Sequence, residues 1–525
     1  MNKSDKSIQD GDYTVEGHLV LIDIDKVQDF ILSTPKLKTI VGASVLVAKL
    51  TSFNYCKNNT ILGNLNKAND FVELANDGDY LVIFFGGGNI KIIFKDLPNA
   101  KRFIQDLQRF FIKEAPSASF SNIIYNFNDI FTNKIIEKAE KELKKVKLSK
   151  RNLVNVNTNP LFKLCKICRK YPASEKEKVK NEDEYLCSNC ISCLKTYKNY
   201  KEENNEILLK DFYDKFKEKY SSDFEEKFDD IKDEKGFLAV ITMDGNEFGE
   251  KLKEITKDKK GDDCIRTLRN FSEKLNKGIT SVLLDSLDGV LTNKDRNLNE
   301  KMPFRPIIIG GDDICLAIAA DKAFRFIQKF DNKIMSNDFF KSNQITYSIG
   351  ISITKSHFPF YFSHRISEQL VKNGKAERKN RVINRNTNML DWEILHSSVF
   401  DDLSKIREKV YYEKYLGETH FLTYKPYNFI ENDFKNFKNL EKIIIESKEI
   451  LGNSKFKDMR KLVRVSRQLS NYDFRKIISK LDEDKKIKID ASLSILKITT
   501  EDIWYADGDY LYNNFLDLIE LSNFI

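Results

Sequence analysis

The chain has 525 residues, too many for one domain and enough for roughly three to four. Its 41% hydrophobic and 12% aromatic content can fill several cores, which excludes global disorder. Lysine and arginine number 87 against 79 acidic residues, and the resulting +8 permits local nucleic-acid surfaces without requiring one. No apolar run approaches the roughly 20 residues of a membrane helix, and the opening MNKSDKSIQDGDY has no apolar signal core. A cytoplasmic protein with no membrane partner is expected.

The first predicted element is a buried strand, HLVLIDID (His18–Asp25), which ends in acids. A hairpin follows at YLVIFFGGGNIKIIF (Tyr80–Phe94), then a helix opening at Arg102-Phe103-Ile104-Gln105 and a weaker strand, SNIIYNF (Ser121–Phe127). A lysine-rich helix covers Asn133 to Arg151. After a cysteine-rich segment and a charged stretch (Lys201–Lys235), the opening design returns. GFLAVITMDG (Gly236–Gly245) repeats the strand and FRPIIIGGDDICLAIAA (Phe304–Ala320) the hairpin. Arg325-Phe326-Ile327-Gln328 repeats the helix, and ITYSIGISIT (Ile345–Thr354) the last strand.

Spacing repeats along with order. The interval from Asp23 to Gly86 is nearly the interval from Asp244 to Gly310. The two helices then open at almost the same offset from those glycines. Each copy reads β–α–hairpin–α–β, a ferredoxin-like arrangement with helices over one sheet face. Beyond Trp392 the pattern predicts helices, among them NLEKIIIESKEIL (Asn439–Leu451) and SLSILKITTEDIWY (Ser492–Tyr505).

The strongest chemical candidate is Gly310-Gly311-Asp312-Asp313 together with Asp244. Glycines permit a tight hairpin and close approach of a polyanion. Adjacent carboxylates repel unless a cation neutralises them. Three hard oxygen ligands suit Mg²⁺ or Mn²⁺, which keeps coordination positions open for phosphates. Gly245-Asn246-Glu247-Phe248-Gly249 follows Asp244, and a turn into a helix there would aim backbone N–H groups at phosphates. The first copy reads Gly86-Gly87-Gly88-Asn89 at its hairpin, so it keeps Asp23 and Asp25 but lacks hairpin acids and is expected to be catalytically degenerate. Among basic residues, Lys375 follows the last strand and a helix and could reach a triphosphate. The Lys134–Arg151 helix reads either as a solvated face or as an RNA contact, and Lys36 and Lys38 as loop or ligand contacts.

Five of the eight cysteines fall between Cys165 and Cys193, which argues for a reducing compartment rather than a disulfide framework. The pairs Cys165-x2-Cys168 and Cys187-x2-Cys190 are set apart by an interval typical of zinc ribbons. Four thiolates would close a structural Zn²⁺ site, and Cys193 is a spare that could replace one of the last pair. None of the five histidines (His18, His357, His364, His396, His420) is followed by aspartate, so a histidine-aspartate phosphohydrolase motif is absent.

These residues together resemble the large, polymerase-like subunit of type III CRISPR effector complexes. Val27-Gln28-Asp29-Phe30-Ile31, Lys36-Leu37-Lys38 and Gly42-Ala43-Ser44 are similar to the opening of that family's first palm domain. The ribbon, Met243-Asp244-Gly245-Asn246 with Gly249, and the GGDD hairpin are similar to its second half. Asp391-Trp392 and Leu422-Thr423-Tyr424-Lys425-Pro426-Tyr427 resemble the lead into its C-terminal helical domain.

The expected fold is α/β (α+β), with two ferredoxin-like, nucleotidyl cyclase-like palms. Its divisions are a first palm at 1–155, a zinc ribbon at 156–200, a helical connector at 201–235, a second palm at 236–395 and a helical domain at 396–525. The resemblance implies ATP as substrate and cyclic oligoadenylate as product, made by 3′-hydroxyl attack on the α-phosphate at two metal ions. Guide and target RNA would act through other subunits. Asp244, Asp312 and Asp313 match the family's metal-binding acids; Gly245, Asn246, Phe248, Gly249, Gly310, Gly311 and Lys375 are the expected nucleotide contacts. Two features depart from the family: the missing histidine-aspartate nuclease motif, which argues against DNA cleavage, and Asn246 in place of the second acid of a D-G-D pattern. Competing expectations are an AMP conjugate of S-adenosylmethionine, another cyclic nucleotide, or a non-catalytic RNA-binding scaffold.

Overall fold

A computed structural model describes residues 15–150, 163–179, 182–200, 208–220, 223–293, 295–296, 301–380, 386–395, 402–415, 417–508 and 510–524. The N-terminal start, Arg151, His396, parts of the connector and several expected domain limits lie outside the described residues. The chain packs as two compact units. One takes in 1–221, 247–281 and 307–311, the other 222–246, 282–306 and 312–525.

In the first unit a five-stranded sheet runs Lys67–Ala68, Tyr80–Gly86, Asn89–Phe94, Val15–Ile24, Phe120–Asp129. Val15–Ile24 is central because Leu19 to Ile22 are all buried, while a strand exposed on one face would alternate. The hairpin turns at Gly87 and Gly88, whose φ of 57° and 86° give the two positive-φ centres that a two-residue turn of this hand requires. The predicted SNIIYNF strand is present and longer, Phe120–Asp129. The sheet's outer layer includes Cys264, Ile265 and Leu268, from the start of the helix Gly261–Asp288, packed with Leu19, Leu81 and Phe131.

The second sheet has the order Tyr427–Asn428, Met389–Ile394, Tyr347–Lys355, Phe237–Gly245, Asp313–Ala319, Phe304–Ile309. Its four palm strands keep the order found in the first unit: the last strand, the first, then the two of the hairpin. The duplication predicted from spacing is therefore a duplication of topology. Ala320–Ser336 is amphipathic, burying Phe324, Ile327, Phe330 and Ile334 at helical spacing. Phe360–Asn380 lies along the last strand because Gly350 has no side chain; a Cβ there would stand 2.1 Å from the Ser367 carbonyl oxygen.

The C-terminal region is mainly helical, with Phe437–Leu451, Asn453–Leu462, Arg467–Ile478 and Glu483–Ser494. A short four-stranded sheet joins them, ordered Tyr412–Tyr415, Glu418–Phe421, Tyr510–Tyr512, Tyr505–Asp507. The expected helix over Ser492–Tyr505 ends after Ser494. Asp490 accepts from the Thr500 amide at 2.8 Å and its hydroxyl at 2.9 Å, and this side-chain alternative draws the chain away from helical hydrogen bonding. No described helix is long and apolar enough to cross a membrane.

Candidate functional site

Asp244 ends the central strand of the second sheet, and antiparallel register sets Asp313 directly opposite it. Opposed residues in such a pair project from the same sheet face with Cβ atoms about 5 Å apart, so two carboxylates share one patch. Ser348 flanks Asp244 on the other side. The Gly245 amide donates to the Asp312 carbonyl at 2.9 Å and fixes the hairpin against the strand end. Lys375, from Phe360–Asn380, reaches Asp244 Oδ2 at 2.7 Å and donates to the Gly245 carbonyl at 3.2 Å. Desolvation first, then the charge of Asp244, pushes the Asp312 carboxyl up, with Lys375 opposing.

The three acids are less tightly gathered than the cysteines. Among the described residues, only Cys165, Cys168, Cys187 and Cys190 bring three or more candidate ligand atoms within 4.8 Å of one another. Like charges set opposite each other are nonetheless destabilising unless a cation lies between them. Lys375 supplies one positive charge, and the oxygen-only donor set fits a hard divalent ion.

Two residues expected at the nucleotide play other parts. Asn246 is buried: its Nδ2 donates to Thr346 Oγ1 at 3.0 Å, and its Oδ1 accepts from Ser348 Oγ at 2.9 Å. Its side chain ties the ends of two strands together beneath Asp244. Gly311 gives room, since a Cβ would meet Leu275 Cδ2 at 2.6 Å, and it does not adopt positive φ. Gly310 precedes it in the turn. Glu247, with φ 57°, turns the chain into the helix Phe248–Ile255. Phe248 and Gly249 belong to the first unit; Phe248 meets Phe271 edge-on at 6.4 Å, and nothing lies within 4 Å of where a Gly249 Cβ would be.

The first sheet carries a counterpart that the motif reading missed. Asp23 pairs in register with Asn89 and Ser121, as Asp244 does with Asp313 and Ser348. Lys147, from the helix Asn133–Ser149, is bonded to Asp23 as Lys375 is to Asp244. The signal was in the spacing: Lys147 follows Ser121 at nearly the same interval as Lys375 follows Ser348. Lys150 holds Asp25 at 2.6 Å, and Ser121 and Ser119 donate to it at 2.6 and 3.0 Å. Burial would raise this carboxyl, but Lys150 and the serines hold it below its ordinary value. One face of that lysine-rich helix is therefore engaged within the fold.

The ribbon builds its cluster from two local devices. Cys165 and Cys168 lie on a turn closed by the Arg169 amide donating to the Cys165 carbonyl at 2.9 Å, with Arg169 at φ 53°. Cys187 and Cys190 lie one turn apart at the start of the helix Ser188–Asn199. Crowding splits the thiols: Cys165 is drawn down, chiefly by Cys168, while Cys187 and Cys190 are pushed up, chiefly by Cys165. Four thiolates in so small a volume need a cation, and sulfur donors at this spacing fit zinc. Cys193 lies outside the cluster; burial, with the charge of Cys168, pushes its thiol up to about 12. Its carbonyl instead faces Gly42, where a Cβ would stand 1.9 Å from the oxygen. That approach joins the ribbon helix to Leu37–Leu50, and Lys38 lies 5.7 Å from the Tyr197 ring centre on the same seam.

Two sheets of one topology, one of them ending in paired acids at a hairpin, define a double-palm protein. Within that class, residues 237–383 match the family model of Cas10/Cmr2, second palm domain, and the chain is Cas10-like in this palm. No curated protein matches the chain. Among solved structures, the apo Csm1–Csm4 cassette aligns at TM-score 0.45 and 14% identity, over 92% of this chain and 65% of the solved one. The Csm1–Csm4 cassette in complex with AMPPNP aligns at 0.43 and 16%, over 71% and 54%. The complex with cA4 aligns at 0.41 and 13%, over 71% and 54%. The chain thus spans 54% to 65% of the length of these solved chains.

Proposed function

We propose that the chain is the nucleotidyltransferase subunit of a type III CRISPR complex and joins ATP into cyclic oligoadenylate. The observation that carries this reading is the register of Asp244 opposite Asp313 within a segment matching the Cas10/Cmr2 second palm. In the reaction a ribose 3′-oxygen bonds to an α-phosphorus, the bond to pyrophosphate breaks, and the hydroxyl proton is lost. Asp244, Asp312 and Asp313 would hold Mg²⁺ or Mn²⁺, which would lower the hydroxyl's pKa and stabilise the departing pyrophosphate. Lys375, now on Asp244, is placed to exchange that carboxylate for a phosphate oxygen. Asn246 keeps the strand ends in place as a positioning residue, in which role an amide serves because it both donates and accepts. In the first palm Lys147 stands on Asp23 and Asn89 replaces the opposing acid, so synthesis belongs to the second palm.

The test is product identification by mass spectrometry. The chain, with its partner subunits and target RNA, is incubated with ATP and Mg²⁺ or Mn²⁺, with and without S-adenosylmethionine. Cyclic oligoadenylate that requires Asp312 and Asp313 supports the reading. A conjugate formed only with S-adenosylmethionine replaces it, and no nucleotide product under any condition leaves a scaffold.

A further inference from the structure

The helix Phe360–Asn380 is anchored differently along its length. Its first half is fixed by packing: Ile366 and Leu370 are buried with Leu395 and Leu403. Ser367 and Thr242 share a hydrogen bond at 2.6 Å, and Ser363 and Thr354 one at 3.1 Å. The end of the helix, Lys372-Asn373-Gly374-Lys375-Ala376-Glu377-Arg378-Lys379-Asn380, has no comparable apolar anchor. Ala376 is exposed there, and Gly374 weakens a helix relative to alanine. Apolar burial therefore does not fix the segment that carries Lys375.

Polar ties do. Asn373 donates through Nδ2 to Asp391 Oδ2 at 2.7 Å. Asp391 is fully buried, and Arg407 of the helix Leu403–Tyr411 grips both its oxygens, at 2.5 and 3.1 Å, and reaches Glu393 at 3.3 Å. A carboxylate held bidentately by a planar guanidinium is a rigid acceptor. Glu377, one turn after Asn373, pairs with Lys435 at 3.1 Å. Lys375 lies between them on the other side of the helix, on Asp244 and the Gly245 carbonyl. Asp391, Arg407 and Lys435 all follow residue 383, where the match to the palm family ends. Asn373 and Glu377 also line a cavity of about 1200 Å³, walled in part by the rings of Tyr412, Phe421, Tyr505 and Tyr512. Shortening either side chain enlarges open space instead of leaving a void in packed core, so the variants should fold.

We infer that Asn373 and Glu377 are positioning residues: through them, the region that follows the palm holds the helix end where Lys375 meets Asp244. The consequence for the reaction rests on the proposed function, in which Lys375 passes to a phosphate oxygen.

The experiment treats the chain, without nucleotide, with a limiting amount of an amine-acylating ester and maps the modified lysines by mass spectrometry. An ammonium held on a carboxylate acylates slowly, so Lys375 reports its own release. Lys372 and Lys379, exposed on the same helix, are the internal standards. Relative to them, labelling of Lys375 should rise about fivefold in Asn373→Ala, the shift that losing one hydrogen bond of ordinary net strength allows. It should rise further in Asn373→Ala/Glu377→Gln. Asn373→Asp, of equal size, should exceed alanine because it sets a second carboxylate against Asp391. Asn380→Ala, at an exposed position of the same helix, should change nothing. Wild-type labelling of Lys375 in the double variant overturns the inference.

Kinetics separate this inference from the proposed function. The KM for ATP should rise by a similar factor in Asn373→Ala with kcat little changed. In a Lys375→Ala background the same substitution should add nothing, whereas a general loss of structure would add in both. Full addition there also overturns the inference. A released Lys375 with unchanged KM, or a chain that makes no product, counts against the proposed function and leaves the positioning in place.

Discussion

Asp244 and Asp313 face each other across a strand pair, and what neutralises them decides what the palm can do. Removing Asp312 and Asp313 together should abolish synthesis, since losing one such electrostatic contact costs about 10² to 10³ in rate. Asp244→Asn should be similarly damaging. Asp23→Ala should be mild, because Lys147 already holds that carboxylate and Asn89 stands opposite. Product assays beside melting curves check this, and equal loss from Asp23→Ala would defeat the single active palm. A different residue carries a pH dependence. His364 is buried, and burial pushes its imidazole down to about 4 from 6.5. The unfolded chain takes up a proton as pH falls through about 6.5, whereas the folded chain stays neutral until about 4. Its contribution is therefore fully present above the upper value and is lost as pH falls across the window, by roughly 3 kcal/mol. Urea unfolding of wild type and His364→Gln between pH 7 and 4 should show a shallower pH slope in the variant. Parallel slopes would remove His364 as the cause.

Glycine positions decide how the helices meet their partners. Gly42 lets the ribbon helix Ser188–Asn199 lie on Leu37–Leu50, and Gly350 lets the Lys375 helix lie on the strand Tyr347–Lys355. Gly42→Val should cost about 1–3 kcal/mol through overpacking and lower zinc retention. Gly350→Ala should leave zinc untouched but raise the KM for ATP, because its Cβ would drive the Lys375 helix outward. Denaturation midpoints, zinc content and steady-state kinetics on both variants separate the two seams. Gly42 was visible in the sequence only as part of a familiar string. Its role depends on the Cys193 carbonyl, far along the chain, which periodicity cannot bring near it. The helix expected over Ser492–Tyr505 failed for a similar reason. Its apolar spacing was compatible with a helix, but the side chain of Asp490 caps the backbone at Thr500 and hands the following residues to a strand.

The whole chain repeats one plan and inserts a four-cysteine ribbon into it. Purified protein should carry one zinc per chain, and Cys165→Ser with Cys168→Ser should remove it and lower the melting temperature by several degrees. Elemental analysis and calorimetry test this, and a zinc-free protein that melts like wild type would refute it. By itself the sequence determined the duplication, the two palms, the cysteine spacing and the acid hairpin, because each is written in local order: apolar strands, turn residues and fixed intervals along one chain. Tertiary structure decided which groups meet. It turned Asn246 inward, excluded Cys193 from the thiol cluster, set Lys147 and Lys375 on equivalent acids, and brought residues spread from Asn373 to Tyr512 around one aromatic cavity. Such meetings follow from strand register and side-chain packing over long separations, where a shift of one residue would turn every side chain of a strand to its other face.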